Sequence, residues 1–188
     1  MHAPEAPASM AIRNERLEFR PASVSDAPVV ASLMAAGISK WVAAWPFPLS
    51  VEQARTVLKD IDADAVQGRA HPFLVGEMES GEDVGWLKIT ASDLGASCWE
   101  IGYWVGEAFQ GRGFAKEITR FALSYCFQEL NAQRVVAGAQ TTNVISLNLL
   151  KRMGLLYSHK QMVLSPARQR LEECEYRVMH RRDWETYQ

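Results

Sequence analysis

The stretch from Trp99 to Leu155 constrains the fold of this chain more than any other. It begins as an apolar run, Trp99 to Val105, that ends in Gly106, Glu107 and Ala108, then passes through Gln110-Gly111-Arg112-Gly113-Phe114-Ala115. Immediately afterwards Phe114, Ile118, Phe121, Ala122, Tyr125 and Cys126 fall on one helical face, with Lys116, Glu117, Arg120 and Glu129 elsewhere. A strand, a glycine-rich turn and a strong helix in succession expose backbone N–H groups at the positive end of a helix dipole. Such a turn suits a pyrophosphate. Small residues at Gly111, Gly113 and Ala115 let the backbone approach an anion closely. Two familiar phosphate loops do not fit. A Walker A loop needs Ser or Thr after its lysine, but Lys116 is followed by Glu117, and the glycine spacing is not that of a dinucleotide fingerprint.

The flanking sequence reads as alternating strands and helices. Leu17 to Arg20 alternates apolar and polar, and Ser25 with Asp26 opens a helix to about Ala36, with Pro28 in its first turn. Trp41 to Pro48 is aromatic and proline-rich, hence irregular. Ser50 and Gln53 have capping-box spacing ahead of a helix to about Gln67. Pro72 to Met78 and Val84 to Thr90 read as a hairpin around Glu79 to Glu82, and Cys98 to Val105 as the next strand. After the long helix come a strand from Arg134 to Ala139 and a helix from Asn143 to Met153 stopped by Gly154. Strands from Leu155 to Leu164 and from Cys174 to His180 follow. Hairpins mixed with a βαβ crossover place the chain in the α+β class.

Composition narrows the function classes. Twenty Lys+Arg against 22 Asp+Glu leave a formal charge of -2, with no basic excess for nucleic-acid phosphates. Cys98, Cys126 and Cys174 form no CxxC pair and stand at no zinc-ligand spacing with His2, His71, His159 or His180, so we expect neither a disulfide framework nor a metal. Residues 1–12, rich in Ala and Pro without an apolar core, read as a disordered leader before a single domain over 13–188. No stretch is apolar enough to span a bilayer, and a cytoplasmic protein is expected.

A second motif follows the first after one strand: Asn143-Val144-Ile145-Ser146, leading to Lys151-Arg152-Met153-Gly154-Leu155. Gln110, Gly113 and Ala115 match the Gln/Arg-x-x-Gly-x-Gly/Ala loop of GNAT acetyltransferases, and Asn143 with Ser146 resembles the family's Asn-x-x-Ser helix. The resemblance runs from Leu17 to about Tyr187. The segment EIGYWVGEAFQGRGFAKE is most similar to the branch that acetylates N-terminal Ala or Ser of ribosomal proteins. Leu155 stands where many relatives carry Phe, a change of packing only.

The resemblance implies a central, mixed, mostly antiparallel twisted sheet of about six or seven strands with about four helices. It implies acetyl-CoA as co-substrate, its pyrophosphate on Gln110, Gly111, Arg112, Gly113, Phe114 and Ala115. The pantetheine would meet backbone groups around Trp104 and Val105 and the side chain of Asn143, with Ser146 near the thiol. The acceptor would be a peptide N-terminus or a small amine such as an amino acid, polyamine or aminoglycoside. A non-catalytic acyl-CoA sensor is the rival from another class. The protein would be a monomer or a homodimer.

Acetyl transfer needs a proton acceptor for the ammonium, a donor for the oxyanion and a proton for the leaving thiolate. Glu100, on a strand face with Gly102 and Trp104, is the candidate base, and an ordinary strand carboxylate is the alternative. Ser146 either protonates the thiolate or caps and packs its helix. Tyr157 is an acid by chemistry alone. Trp41, Trp45 and Phe47 either wall the acceptor site or anchor their loop in the core.

Overall fold

Strand β5 (Cys98–Val105) organises the molecule, which the computed structural model describes over residues 10–187. One edge of β5 pairs antiparallel with β4 (Asp83–Ala91) along its length, from Ala91↔Trp99 to Gly85↔Val105. The other edge pairs parallel with β6 (Arg134–Gln140), but only where Cys98 to Glu100 face Arg134 to Val136. Beyond Glu100 the two strands diverge, and a wedge opens in the middle of the sheet.

The remaining strands are β1 (Ile12–Arg13), β2 (Leu17–Pro21), β3 (Ala70–Glu77), β7 (Leu156–Ser165) and β8 (Arg170–His180). The order is β1-β2-β3-β4-β5-β6-β8-β7, and β5–β6 is the parallel pair in an otherwise antiparallel sheet. The α+β class and the mixed sheet agree with the sequence reading. The eighth strand is β1, whose two residues pair with Phe19 and Glu18 and are too few to give a periodic signal. Most of the leader expected over 1–12 lies outside the described residues; Ile12, its last residue, belongs to β1.

Six α-helices cover the sheet among the described residues: α1 (Ala27–Leu33), α2 (Ala36–Ser39), α3 (Val51–Val66), α4 (Phe114–Ser124), α5 (Val144–Arg152) and α6 (Arg181–Tyr187). Two exceed the expected number: α2 is a single turn beside the irregular aromatic segment, and α6 is a short helix that follows β8 directly. The first helix is also shorter than expected. Ser23, not Ser25, makes the capping box with Asp26 around a 3-10 turn, and the backbone is already extended at Met34. Helix α3 begins on the Ser50–Gln53 capping box as read from sequence.

Each face of the sheet has its own core. One holds Ile101, Val105, Ile118, Ala122, Val135, Ala137 and Leu150, and joins β5 and β6 to α4 and α5. The other holds Val30, Ile38, Trp45, Leu58, Trp86 and Trp104, and joins the sheet to α1, α2 and α3. Alternation along β5 therefore points Ile101, Tyr103 and Val105 to the α4 side and Glu100, Gly102 and Trp104 to the α1 side. Among the described residues no helix is long and apolar enough to cross a membrane.

Candidate active site

The backbone of β5 is unevenly used. Gly106 N–H donates to Val84 O at 2.9 Å, so alternation along the antiparallel ladder commits the amides of Trp104 and Gly102 to β4. The Ile101 amide closes the last β5–β6 pair, that of Glu100 with Val136, and the amides of Tyr103 and Val105 then face the wedge, where β6 has already departed. The carbonyl of Val105 accepts from Gln110 Nε2 at 3.1 Å, which ties the following loop back to the strand. Of the two backbone groups singled out from sequence, Val105 thus borders the wedge. Trp104 gives its backbone to β4 and its indole to the α1-side core.

The turn is shaped by two glycines in the left-handed region, Gly111 (φ 77°) and Gly113 (φ 88°), the latter serving as N-cap of α4. Among the described residues the amides of Gly111, Arg112, Gly113, Phe114 and Ala115 donate to no other protein group. Helix α4 contributes its dipole at the same point. The Arg112 side chain turns aside. Its guanidinium pairs with buried Glu77 and lies 4.8 Å from the Phe114 ring centroid, while Arg16 covers the same ring at 4.7 Å and pairs with Glu117 at 2.6 Å. Arg112, Phe114 and Gln110 therefore hold the shape of a loop whose backbone is presented outward. Arg16 and Glu77 do the same, and no local pattern marks them.

Asn143 caps α5, its Oδ1 accepting from Ser146 N–H at 3.2 Å, so Ser146 sits in the first turn of that helix. Beside it the Tyr103 hydroxyl is buried near the hydroxyls of Ser146 and Thr119 with no hydrogen bond closed to either. Burial raises the Tyr103 pKa. Thr119 donates to Ala115 O at 2.7 Å, which leaves its oxygen free to accept.

Across the sheet, Glu100 has Lys88 of β4 and Tyr176 of β8 as polar neighbours. Burial pushes the Glu100 carboxyl above its ordinary range, and Lys88 and the Tyr176 hydroxyl oppose that rise without cancelling it. The aromatic segment proposed as an acceptor wall divides. Trp45 is only 5% exposed and meets Trp86 and Trp104 edge-on, at 5.6 and 6.5 Å between centroids. Trp41 is half-buried with Lys40 over its ring, and Phe47 is 54% exposed. Tyr157 is exposed on edge strand β7, opposite Arg177.

The loop that carries these aromatics is tied down from far along the chain. Arg168 Nη1 donates to Val42 O at 3.0 Å and also to Ser39 O, and Gln140 Nε2 donates to Lys40 O at 2.8 Å. Ser165 Oγ and Ala167 N–H both donate to Ala43 O at 3.1 Å. Glu172 holds Arg168 through two contacts, at 2.8 and 2.6 Å, and Arg168 with Arg170 brings its carboxyl down to about 2.

Residues 16–156 match the acetyltransferase (GNAT) domain, three-quarters of the chain and both motifs. The chain belongs to the GNAT acetyltransferase family. This acetyltransferase is 30% identical over 140 residues to the uncharacterized N-acetyltransferase p20 of Bacillus licheniformis, covering 74% of this chain and 78% of that protein. It is 25% identical over 181 residues to YdaF of Bacillus subtilis, provisionally named a ribosomal N-acetyltransferase, covering 92% and 95% of the two chains. A solved structure of RimL, a ribosomal L7/L12 α-N-protein acetyltransferase in complex with coenzyme A, superposes with a TM-score of 0.75 at 20% identity. That match covers 91% of this chain and 98% of RimL. The enzyme is an acetyl-CoA-dependent N-acetyltransferase related to the ribosomal-protein branch, and its outward-facing loop amides and open β5 edge fit a pyrophosphate and an amide-bearing arm.

Proposed function

We propose that residues 13–188 form one acetyltransferase domain whose acceptor is the α-amine of a protein or peptide N-terminus, of the kind that begins with alanine or serine. The observation that carries this reading is the division of β5. Glu100 stands on one face of the wedge, the loop amides and Ser146 on the other, and the free edges of Tyr103 and Val105 lie between. Acetyl-CoA would lie on the Gly111–Ala115 amides and along the open β5 edge, beside Asn143, and it supplies an activated thioester. The amine arrives from the α1 side and attacks directly in a ternary complex.

Glu100 accepts the ammonium proton, a task for which a carboxyl of raised pKa is suited. Val105 N–H, fixed by the β4 ladder and by Gln110, donates to the oxygen that gains charge. Ser146 gives a proton to the departing sulfur, with the Tyr103 hydroxyl behind it as a supply. Trp41 and Phe47 line the approach, and Trp45 holds their loop against Trp104.

The test is to mix enzyme and acetyl-CoA with a panel of N-terminal peptides and small amines, and to follow free thiol. We expect thiol release with peptides that start in Ala or Ser, together with acetyl mass on the α-amine. Release with small amines alone would overturn the peptide reading, and release with no acceptor in the panel would overturn it too.

A further inference from the structure

We propose that Tyr176 is a positioning residue for Glu100: its hydroxyl fixes the carboxylate at the mouth of the wedge, and Gly138 is the notch that lets its ring reach there. The proposal rests on the reading of Glu100 as the base. Tyr176 lies on β8, two strands from β5, and faces Gly138 across the β6–β8 ladder. A methyl at Gly138 would stand 2.7 Å from Tyr176 Cζ and 2.9 and 3.0 Å from its two Cε atoms, so the ring lies flat on the glycine backbone. No other residue at 138 permits that path without moving the ring.

The direction follows from register. Glu100 pairs with Val136, and Gly138 is the next β6 residue on that face, so a ring crossing β6 at Gly138 runs toward the carboxylate. The ring is held from a further side by His159 of β7, stacked at 5.0 Å between centroids with planes 8° apart. Tyr176 is buried, and its hydroxyl faces the Glu100 and Gln161 side chains without a closed hydrogen bond to either. An amide N–H of Gln161 can donate to the phenol oxygen and leave the phenol hydrogen for the carboxylate.

The charged and titratable groups that face Glu100 are Lys88 from β4, with Tyr176 and Cys174 from β8. Burial drives Glu100 upward, Lys88 and Tyr176 draw it down, and the Glu100 charge in turn raises Tyr176. A hydrogen bond to the charged form of a carboxyl lowers its pKa, so loss of the hydroxyl moves Glu100 upward.

The experiment titrates Glu100 by carbon-13 NMR in protein labelled at the glutamate δ-carboxyl, the resonance being assigned by its loss in Glu100→Gln. In Tyr176→Phe we expect the Glu100 midpoint to rise by about one pH unit, with the thermal midpoint unchanged because the ring still fills the Gly138 notch. The acid limb of kcat/KM, measured with acetyl-CoA and a Ser- or Ala-initiated peptide, should move equally. That is a loss of about tenfold at low pH, recovered at high pH. Gly138→Ala, which displaces the ring but keeps the hydroxyl, should shift the titration in the same direction. An unchanged Glu100 titration in Tyr176→Phe overturns the proposal. Loss of the catalytic role of Glu100 would appear separately, as an acid limb that survives Glu100→Gln, and the NMR comparison needs no acceptor.

Discussion

The two faces of β5 are built in different ways. On the α4 side the working parts are contiguous: five loop amides between Gly111 and Ala115, then an Asn–Ser pair at the start of α5. Each is shaped by its neighbours in sequence, through two positive-φ glycines, one side-chain cap and a Gln110 link back to Val105 five residues earlier. On the α1 side the parts come from distant points. Glu100 is set among Lys88 and Tyr176, and the aromatic loop is held by Arg168, 126 residues beyond Val42, and by Gln140, 100 residues beyond Lys40. A co-substrate common to a whole family can be held by short, repeated motifs. An acceptor that differs between branches is met by side chains that can change one at a time.

If the faces divide the labour in this way, Glu100→Gln is the sharpest cut between them. We expect kcat/KM for a peptide acceptor to fall by roughly 100-fold or more, with the acid limb of its pH profile gone. Acetyl-CoA affinity, measured by calorimetry on the same protein, should stay within about twofold, because no loop amide is disturbed. A proportional loss of acetyl-CoA binding would break the comparison.

The complementary cut is Gly113→Ala. The backbone there lies at φ 88°, and a side chain meets only Arg16 Nη1, at 3.9 Å, so the penalty is conformational rather than steric. Holding a non-glycine residue in that region costs about 1–2 kcal/mol, which corresponds to roughly tenfold weaker acetyl-CoA binding if the loop relaxes instead. Peptide KM at saturating acetyl-CoA and the pH profile should be unmoved. A change in peptide KM as large as the change in acetyl-CoA affinity would mean that the two sites are coupled through β5.

The same contrast explains what could be read from residue order. The strand over Cys98 to Val105, the turn after it, the α4 face and the Ser50–Gln53 cap are local patterns, and each stands where periodicity put it. The start of the first helix is ambiguous in residue order because Ser23 and Ser25 both have cap chemistry, and the Asp26 carboxylate decides it by closing the box on Ser23. Trp41, Trp45 and Phe47 could not be separated, because an aromatic near proline looks the same whether it packs in the core or lines a rim. Packing on Trp86 and Trp104 separates them, and those contacts arise only in the folded chain. Tyr176 carried no motif. Its signal was Gly138, an unassuming glycine inside a strand, where a close approach by another group is a common reason for one.

The smallest expected effect belongs to Arg168→Ala, and it sharpens the acceptor side of the comparison. Arg168 touches no catalytic group; it joins the turn between β7 and β8 to the loop that carries Trp41 and Phe47. Its removal should raise peptide KM by roughly fivefold while leaving acetyl-CoA affinity and the Glu100 acid limb in place. Stability should fall by about 2 kcal/mol, the scale of a hydrogen bond to a charged group, because Glu172 keeps contacts with Arg170 and Gln140 at 2.9 Å. That stability difference has its own pH signature. Arg168 and Arg170 hold the folded Glu172 carboxyl at about 2, below its ordinary 4.5. Its stabilisation is therefore complete above about 4.5 and is lost as pH falls toward 2. Thermal melts of the parent and Arg168→Ala should be furthest apart near neutral pH and converge in that acid window. A gap that persists below it would place the role of Arg168 in its bonds to Ser39 and Val42, whose carbonyls do not titrate, rather than in its pairing with Glu172.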